Sequence, residues 1–271
     1  MSVLVKKPTG VLERYIQQYS EAAISKENRA RLFPHGNLRL PNSTIRMAFH
    51  FSETIPWIAI DGKTKAQPRQ HIRGYQTTPI SFNTSEDIDA FRVEFTPFGF
   101  RRIFDLPCSE LDVLPIPMEE LLEKDYQMLW EELVKRKTFI DRVNFMNAYF
   151  LTKIKDDMPI KKAYVIHRHI LESKSFSNVF NLANEFFLTE RTLRRFFNEY
   201  FGMSPKQYLK LVRFEKATKN LFNFGKTNLN DLALDFGYYD LAHFSNDFKF
   251  YMKMAPSEFQ NKVLKRGIVV N

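Results

Sequence analysis

Hydrophobic and polar positions follow two different rhythms along the chain. Over residues 44–51, Ile45, Met47, Phe49 and Phe51 alternate with Thr44, Arg46, Ala48 and His50, and further on Phe91, Val93 and Phe95 alternate with Arg92 and Glu94. Successive side chains of a strand point to opposite faces, so this period of two predicts half-buried strands. Pro56, Asp61-Gly62, Pro68, Gly74 and Pro79 punctuate the segment between them with turns. The period then lengthens. Leu121, Leu122, Leu129 and Leu133, followed by Phe139, Val143, Met146, Phe150 and Ile154, recur at helical spacing and predict helices over 118–136 and 138–155. Asp156-Asp157-Met158-Pro159 interrupts the pattern, because proline disfavours helix in the residue before it. A domain boundary is expected there, giving units 1–157 and 158–271.

Beyond that boundary every segment reads as helical, with helices over 160–173, 179–186, 190–201 and 205–222. Thr189 is placed to cap the helix at 190. Gly202 is placed to end it in a left-handed turn, and Ser204-Pro205 starts the next helix with serine as cap and proline at its first position. That last helix, about 18 residues, spans roughly 27 Å at 1.5 Å per residue.

The hydrophobic frame of this region is written twice. Leu182-Ala183, Leu193, Phe197, Pro205 and Tyr208 form one copy, and Leu232-Ala233, Phe244, Phe248, Pro256 and Phe259 the other. Each copy fits a helix-turn-helix unit with a proline-started helix behind it. In the first unit Leu193, Phe197 and Tyr200 face inward, leaving Arg191, Arg194, Arg195 and Asn198 on the opposite side, with Thr189 at the helix start. In the second, Asp240 caps the helix and Phe244, Phe248 and Tyr251 are its inner stripe, leaving His243, Ser245, Asn246 and Lys249 outside; Leu241 serves either the core or a thymine methyl. Arginine pairs with guanine and asparagine with adenine in the major groove, so these residue types suit double-stranded DNA. Arginine-rich helix faces are also commonly just solvated, and Arg195 equally suits a structural ion pair.

Charge sharpens this picture. The chain carries a net charge of +9, and the part after Lys155 holds 18 Lys and Arg against 12 Asp and Glu, compared with 22 against 19 before it. Positive charge is concentrated where the repeat lies, as phosphate contacts require.

The run Gly237-Tyr238-Tyr239-Asp240-Leu241-Ala242-His243-Phe244-Ser245, followed by Phe248-Lys249 and Pro256-Ser257-Glu258-Phe259, resembles the second helix-turn-helix signature of AraC/XylS-type transcriptional regulators. Leu182-Ala183, Thr189, Leu193, Arg195, Phe197, Gly202 and Ser204-Pro205 resemble the family's first unit, and Arg213-Phe214 with Ala217 its connecting helix. The resemblance covers residues 160–263 and implies a bacterial regulator that places two recognition helices in adjacent grooves, commonly working through RNA polymerase. Phe187 stands where the family usually has glycine in the first turn, Lys253 and Ala255 stand where the first unit has Gly202 and Ser204, and Asn246 occupies a position where the family often has arginine.

In the N-terminal part, Phe33-Pro34-His35-Gly36-Asn37, His71-Ile72-Arg73-Gly74-Tyr75-Gln76 and Phe95-Thr96-Pro97-Phe98-Gly99-Phe100 with Leu106-Pro107 resemble the β-rich regulatory domain of one branch of that family. The expected architecture is therefore an α+β N-terminal domain, β-rich and of barrel or jelly-roll type with two following helices, joined to an all-α domain with two helix-turn-helix units. By analogy the first is a sensor of a small-molecule effector or a partner. Trp57, Phe49, Tyr75 and Phe98 are candidates for a pocket, though aromatic residues on strands more often fill a core. The helix over 138–155 is a candidate homodimer seam, with packing on its own sheet the more ordinary use.

Enzymatic chemistry finds no support in motifs: there is no glycine-rich phosphate loop, Gly-x-Ser-x-Gly elbow or His-Glu-x-x-His pair. His167 and His169 are two apart, which on a helix turns them away from each other, so no metal or cofactor is expected. The single cysteine, Cys108, permits no intrachain disulfide and reads as inert packing rather than a reactive thiol. Glu119, Glu120 and Glu123 read as favouring the start of their helix through its dipole. The short apolar stretch Ser2–Val5 before Lys6-Lys7 is no signal-peptide core, and no apolar run reaches membrane-spanning length, so a cytoplasmic protein without membrane contact is expected. An enzyme in the N-terminal part with a helical nucleic-acid-binding module is the alternative reading, and an RNA or single-strand binder a third.

Overall fold

The computed structural model describes residues 2–28, 37–60, 62–82, 87–123, 125–154, 158–173, 178–224 and 228–261. The expected motif residues Phe33–Gly36, Asp61 and the boundary residues 155–157 lie outside that set.

The N-terminal part is built on two antiparallel sheets. Strands β1 (Ser2–Lys6), β2 (Ile16–Ile24), β4 (Ile45–His50), β7 (Gln70–Arg73), β9 (Ile88–Phe95) and β10 (Ile116–Pro117) form the larger one in the order β1-β2-β9-β4-β7-β10. The short strands β3 (Asn37–Arg39), β5 (Ile58–Ile60), β6 (Lys63–Lys65) and β8 (Ile80–Phe82) form the smaller one in the order β3-β8-β5-β6.

Alternation along β4 and β9 is as the sequence predicts, and the register aligns it across strands: Met47 lies opposite Val93 and Phe49 opposite Phe91. That face is roofed by helices α1 (Pro97–Phe104) and α4 (Phe139–Lys153). Phe95 meets Phe150 at 5.4 Å and Phe100 at 5.6 Å, Phe91 meets Phe139 at 6.1 Å, and the Tyr19 hydroxyl donates to Asn147 Oδ1 at 2.6 Å. Helix α4 thus packs on its own sheet. The other face departs from expectation. Arg46, Ala48 and His50 look away from the aromatic layer yet are not solvated, because the smaller sheet closes over them. These strands are covered on both faces.

The helix expected over 118–136 is broken. Helix α2 (Met118–Leu122) ends at Glu123, whose φ is +43°, and α3 (Asp125–Lys135) starts afresh. The break lets α2 lie along β7 and β10 while α3 pairs with α4, where Asp125 accepts from the Tyr149 hydroxyl at 2.8 Å and Lys153 Nζ at 2.7 Å. Glu119 and Glu120 occupy the first turn of α2, but Glu123 follows its last and cannot favour its start.

The remaining helices are α5 (Met158–Glu172), α6 (Val179–Glu185), α7 (Glu190–Tyr200), α8 (Pro205–Phe224), α9 (Leu229–Asp235), α10 (Leu241–Met252) and α11 (Pro256–Phe259). Helix α8, with 20 residues, is about 30 Å long. The two halves share one buried layer: Phe98 packs on Phe201 at 5.6 Å and on His167 at 5.5 Å, and the Tyr75 hydroxyl donates to the Phe201 carbonyl at 2.6 Å. Among the described residues, no helix is long and apolar enough to cross a membrane.

Candidate nucleic-acid interface

Each helix-turn-helix unit is fixed by the same few backbone bonds. In the first turn the Leu188 amide donates to the Ala183 carbonyl at 2.8 Å; in the second the Tyr238 amide donates to the Ala233 carbonyl at 2.9 Å. The chain reaches both geometries through a left-handed residue, Gly237 at φ +71° and Phe187 at φ +53°. The phenylalanine carries a strain that glycine avoids, on the order of 1 kcal/mol. Its side chain is 97% exposed, so no packing offsets it.

Capping starts the two exposed helices where the sequence places them. Thr189 Oγ1 accepts from the Thr192 amide at 3.1 Å, and Asp240 Oδ1 from the His243 amide at 2.7 Å. Ser204 and Gln207 form a reciprocal cap at the start of α8: the Ser204 amide donates to Gln207 Oε1 at 3.1 Å and the Gln207 amide to Ser204 Oγ at 3.3 Å. Lys253 ends α10 at φ +58° and is exposed. Its counterpart Gly202 has no such freedom, since a Cβ there would sit 2.6 Å from the Ser109 amide nitrogen.

Buried stripes run along both helices, Leu193 and Phe197 on α7 and Phe244, Phe248 and Tyr251 on α10, while Tyr200 is half-buried. Opposite them, Thr189, Arg191, Arg194, Arg195 and Asn198 are exposed on α7. Arg194 is paired along its own helix with Glu190 at 2.9 Å, whereas Arg191 and Arg195 have no ion pair among the described residues. On α10, Asn246 and Lys249 are exposed and Ser245 is half-exposed. His243 is half-buried: its ring lies edge-on to Tyr238 at 5.2 Å, Nδ1 accepts from the Tyr239 amide at 3.4 Å and Nε2 lies 3.3 Å from Arg213 Nη2. Its ring is thus engaged in holding the second turn. Leu241 is half-buried against the core.

Arg194 of α7 and His243 of α10 line one groove of about 560 Å³, so both helices border it. Helix α8 contributes Lys206, Lys210 and Arg213 to that groove. Lys206 and Lys210 escaped attention in the sequence and Arg213 was read only as part of the connecting helix, although their spacing of four and then three places them on one helical face. The second unit is bolted to α8 through Asp247, only 4% exposed, which meets Lys210 Nζ at 3.1 Å and Arg213 Nη2 at 3.2 Å.

Other candidate residues are not brought together. Phe49, Tyr75 and Phe98 are buried in packed layers and Trp57 is 49% exposed; among the described residues these four are not brought together around one cavity. The Cys108 thiol is buried, donates to the Pro97 carbonyl at 3.1 Å and is pushed up to about 12 by burial, which suppresses thiolate chemistry. His167 Nδ1 shares a hydrogen bond with the Tyr208 hydroxyl at 2.8 Å while His169 meets Glu185 at 2.6 Å, so the two rings serve different partners.

Residues 182–262 match the family model described as a helix-turn-helix domain. An uncharacterized HTH-type transcriptional regulator of Haemophilus influenzae is 35% identical over 69 residues, 26% of this chain and 23% of that protein. The HTH-type transcriptional activator RhaS of Pectobacterium atrosepticum is 31% identical over 85 residues, covering 31% of this chain and 30% of RhaS. The match thus spans less than a third of these relatives' length. Among solved structures, ToxT from Vibrio cholerae overlays 96% of this chain with 97% of its own at 15% identity and a TM-score of 0.45.

Proposed function

We propose, from the premise that the C-terminal region is a helix-turn-helix domain of the AraC type, that this chain is a transcription regulator binding double-stranded DNA through two recognition helices in successive major grooves. The observation that supports this reading is the shared groove, which Arg194 of α7 and His243 of α10 border together with Lys206, Lys210 and Arg213 of α8. Successive grooves on one side of the duplex lie about 34 Å apart, and a helix of about 30 Å is a spacer of that order.

In this reading Arg191, Arg194, Arg195 and Asn198 read bases or phosphates in one groove, with Thr189 at the helix start for a backbone phosphate. Ser245, Asn246 and Lys249 do so in the other, and His243 contributes through its exposed edge. Residues 1–157 form the regulatory domain and 158–271 the DNA-binding domain, an organisation that suits a cytoplasmic protein responding to a small-molecule effector. RNA polymerase and a second copy of the chain are the protein partners the reading implies.

Selecting bound fragments from random duplexes yields the operator. On it, Arg194→Ala is expected to weaken binding by about 1–3 kcal/mol and to relax one base position. An equal small loss on every sequence reduces Arg194 to a phosphate contact, and affinity indifferent to salt counts against the whole reading.

A further inference from the structure

Helix α8 carries more positive charge into the groove between the heads than its own contacts use. Lys206, Lys210 and Arg213 line that groove, and Asp247 is the one carboxylate among its described lining residues. Asp247 is already shared: Lys210 Nζ lies 3.1 Å from Oδ1 and Arg213 Nη2 3.2 Å from Oδ2. Both cations also rest on rings, Lys210 at 4.4 Å over Phe250 and Arg213 at 4.3 Å over Tyr238. Lys206 has no such partner. It is the second residue of α8, exposed, with no ion pair or hydrogen bond among the described residues. The turn on which it stands is pinned by the reciprocal cap of Ser204 and Gln207.

The wall beside these cations is apolar. Val179 and Phe180 of α6 and Leu209 of α8 supply it, and Phe180 is 59% exposed. A free inorganic anion gains nothing from such a wall, and a base edge would need hydrogen-bonding groups in its place. A sugar–phosphate strand suits both parts, because anionic phosphates alternate along it with the C–H faces of deoxyribose. Position favours the same occupant. With α7 and α10 in successive major grooves, the backbone that separates those grooves passes the helix that joins the heads. Lys206 and Lys210 stand one turn apart, about 6 Å along the axis, so they reach neighbouring phosphates instead of competing for one.

We propose that the α8 side of the groove seats the sugar–phosphate strand running between the two major grooves, with Lys206 as principal phosphate ligand, Lys210 as the second and the apolar wall against deoxyribose. Lys210, its side chain 33% exposed, keeps a free side for this beside Asp247. Arg213, 17% exposed and held by the same carboxylate, stays structural. Helix α8 is then a contact surface as well as a spacer, and it fixes the register of both heads on the duplex without reading sequence. The inference rests on the DNA-binding reading and deepens it by naming the atoms that the connecting helix grips.

The test uses the full chain on its selected operator and on an unrelated duplex, with salt varied from about 50 to 200 mM. One phosphate contact contributes about 0.9 to the slope of log affinity against log salt, a factor of about 3.5 over that range. Lys206→Gln is expected to reduce the slope by this amount and to weaken binding equally on both duplexes, and Lys206→Arg to restore both. Uncharged methylphosphonate linkages are then placed one at a time along the operator. At a linkage between the two major-groove sites the wild-type chain is expected to lose affinity and Lys206→Gln to lose no more, so the two losses are not additive. An unchanged slope in Lys206→Gln, coupling confined to linkages inside the major-groove sites, or additive losses at every linkage overturns the proposal. A wild-type chain that binds no duplex sinks the DNA-binding reading and this proposal with it. That outcome is distinct from the other three, in all of which the wild-type chain binds.

Discussion

Ser43 and Glu215 join the two halves of the molecule through a single carboxylate oxygen: the Ser43 amide donates to Glu215 Oε2 at 2.9 Å and its hydroxyl at 2.7 Å. Glu215 lies on α8, the helix between the two reading heads, so this contact fixes the heads to the β-rich part. Removing the hydroxyl with Ser43→Ala leaves one of the two bonds and is expected to cost about 1–2 kcal/mol. Urea denaturation of Ser43→Ala, Glu215→Gln and the double variant checks this. Strictly additive losses from the two single changes would show that the pair is not coupled.

The two left-handed turns predict substitutions of opposite sign. Phe187→Gly relieves strain at φ +53° and removes no buried side chain, so stability is expected to rise by up to about 1 kcal/mol, less the entropy glycine adds to the unfolded chain. Gly202→Ala combines φ +69° with a Cβ 2.6 Å from the Ser109 nitrogen and 2.7 Å from Cys108 Cβ. A loss of roughly 2–4 kcal/mol is expected from strain and overlap together. Thermal unfolding of both variants, compared side by side, decides the signs.

Most of the C-terminal geometry was legible because local rules specify it. The caps at Thr189, Ser204 and Asp240, the left-handed Gly202 and the buried Leu193–Phe197 stripe each follow from a residue and its neighbours within a turn. The N-terminal part was legible only by halves. Alternation along β4 shows that Arg46 and His50 share a face, but only the short strands β3, β5 and β8, distant in sequence, decide that this face is closed. The break at Glu123 was missed for a related reason: Leu121, Leu122, Leu129 and Leu133 keep helical spacing across it, and what separates them is where β7 and α4 lie.

Acid is expected to destabilise the fold through His167. Burial holds this histidine down to about 3, against an ordinary value of 6.5. Above 6.5 the ring is neutral in folded and unfolded chains alike, and stability is indifferent to it. As pH falls from 6.5 towards 3, the unfolded chain gains a proton that the folded one refuses, so stability is lost at up to about 1.4 kcal/mol per pH unit. His50, depressed by burial and nearby arginines, acts in the same direction. Unfolding free energies at about pH 7.5 and 5 check the loss. His167→Gln is expected to flatten the dependence, and an unchanged slope in that variant would assign it elsewhere.

Asp247 sets the attachment of the second head. Its carboxylate is buried between Lys210 and Arg213, and Arg213 also stacks 4.3 Å from the Tyr238 ring centre. Asp247→Asn leaves two cations without their charge partner and is expected to cost about 2 kcal/mol, discounted for the partial exposure of Lys210 and Arg213. The loss is expected in the second unit first. Amide exchange should quicken in α9 and α10 before α7, and uniform quickening over both units would contradict it.

The central claim is that α7 and α10 read one side of the duplex together. Guanine-methylation footprinting of the full chain on its selected operator tests it most directly. Two protected major-groove patches, about 10–10.5 base pairs apart on one face of the helix, are the expected result. A single patch, or two on opposite faces, would contradict the account.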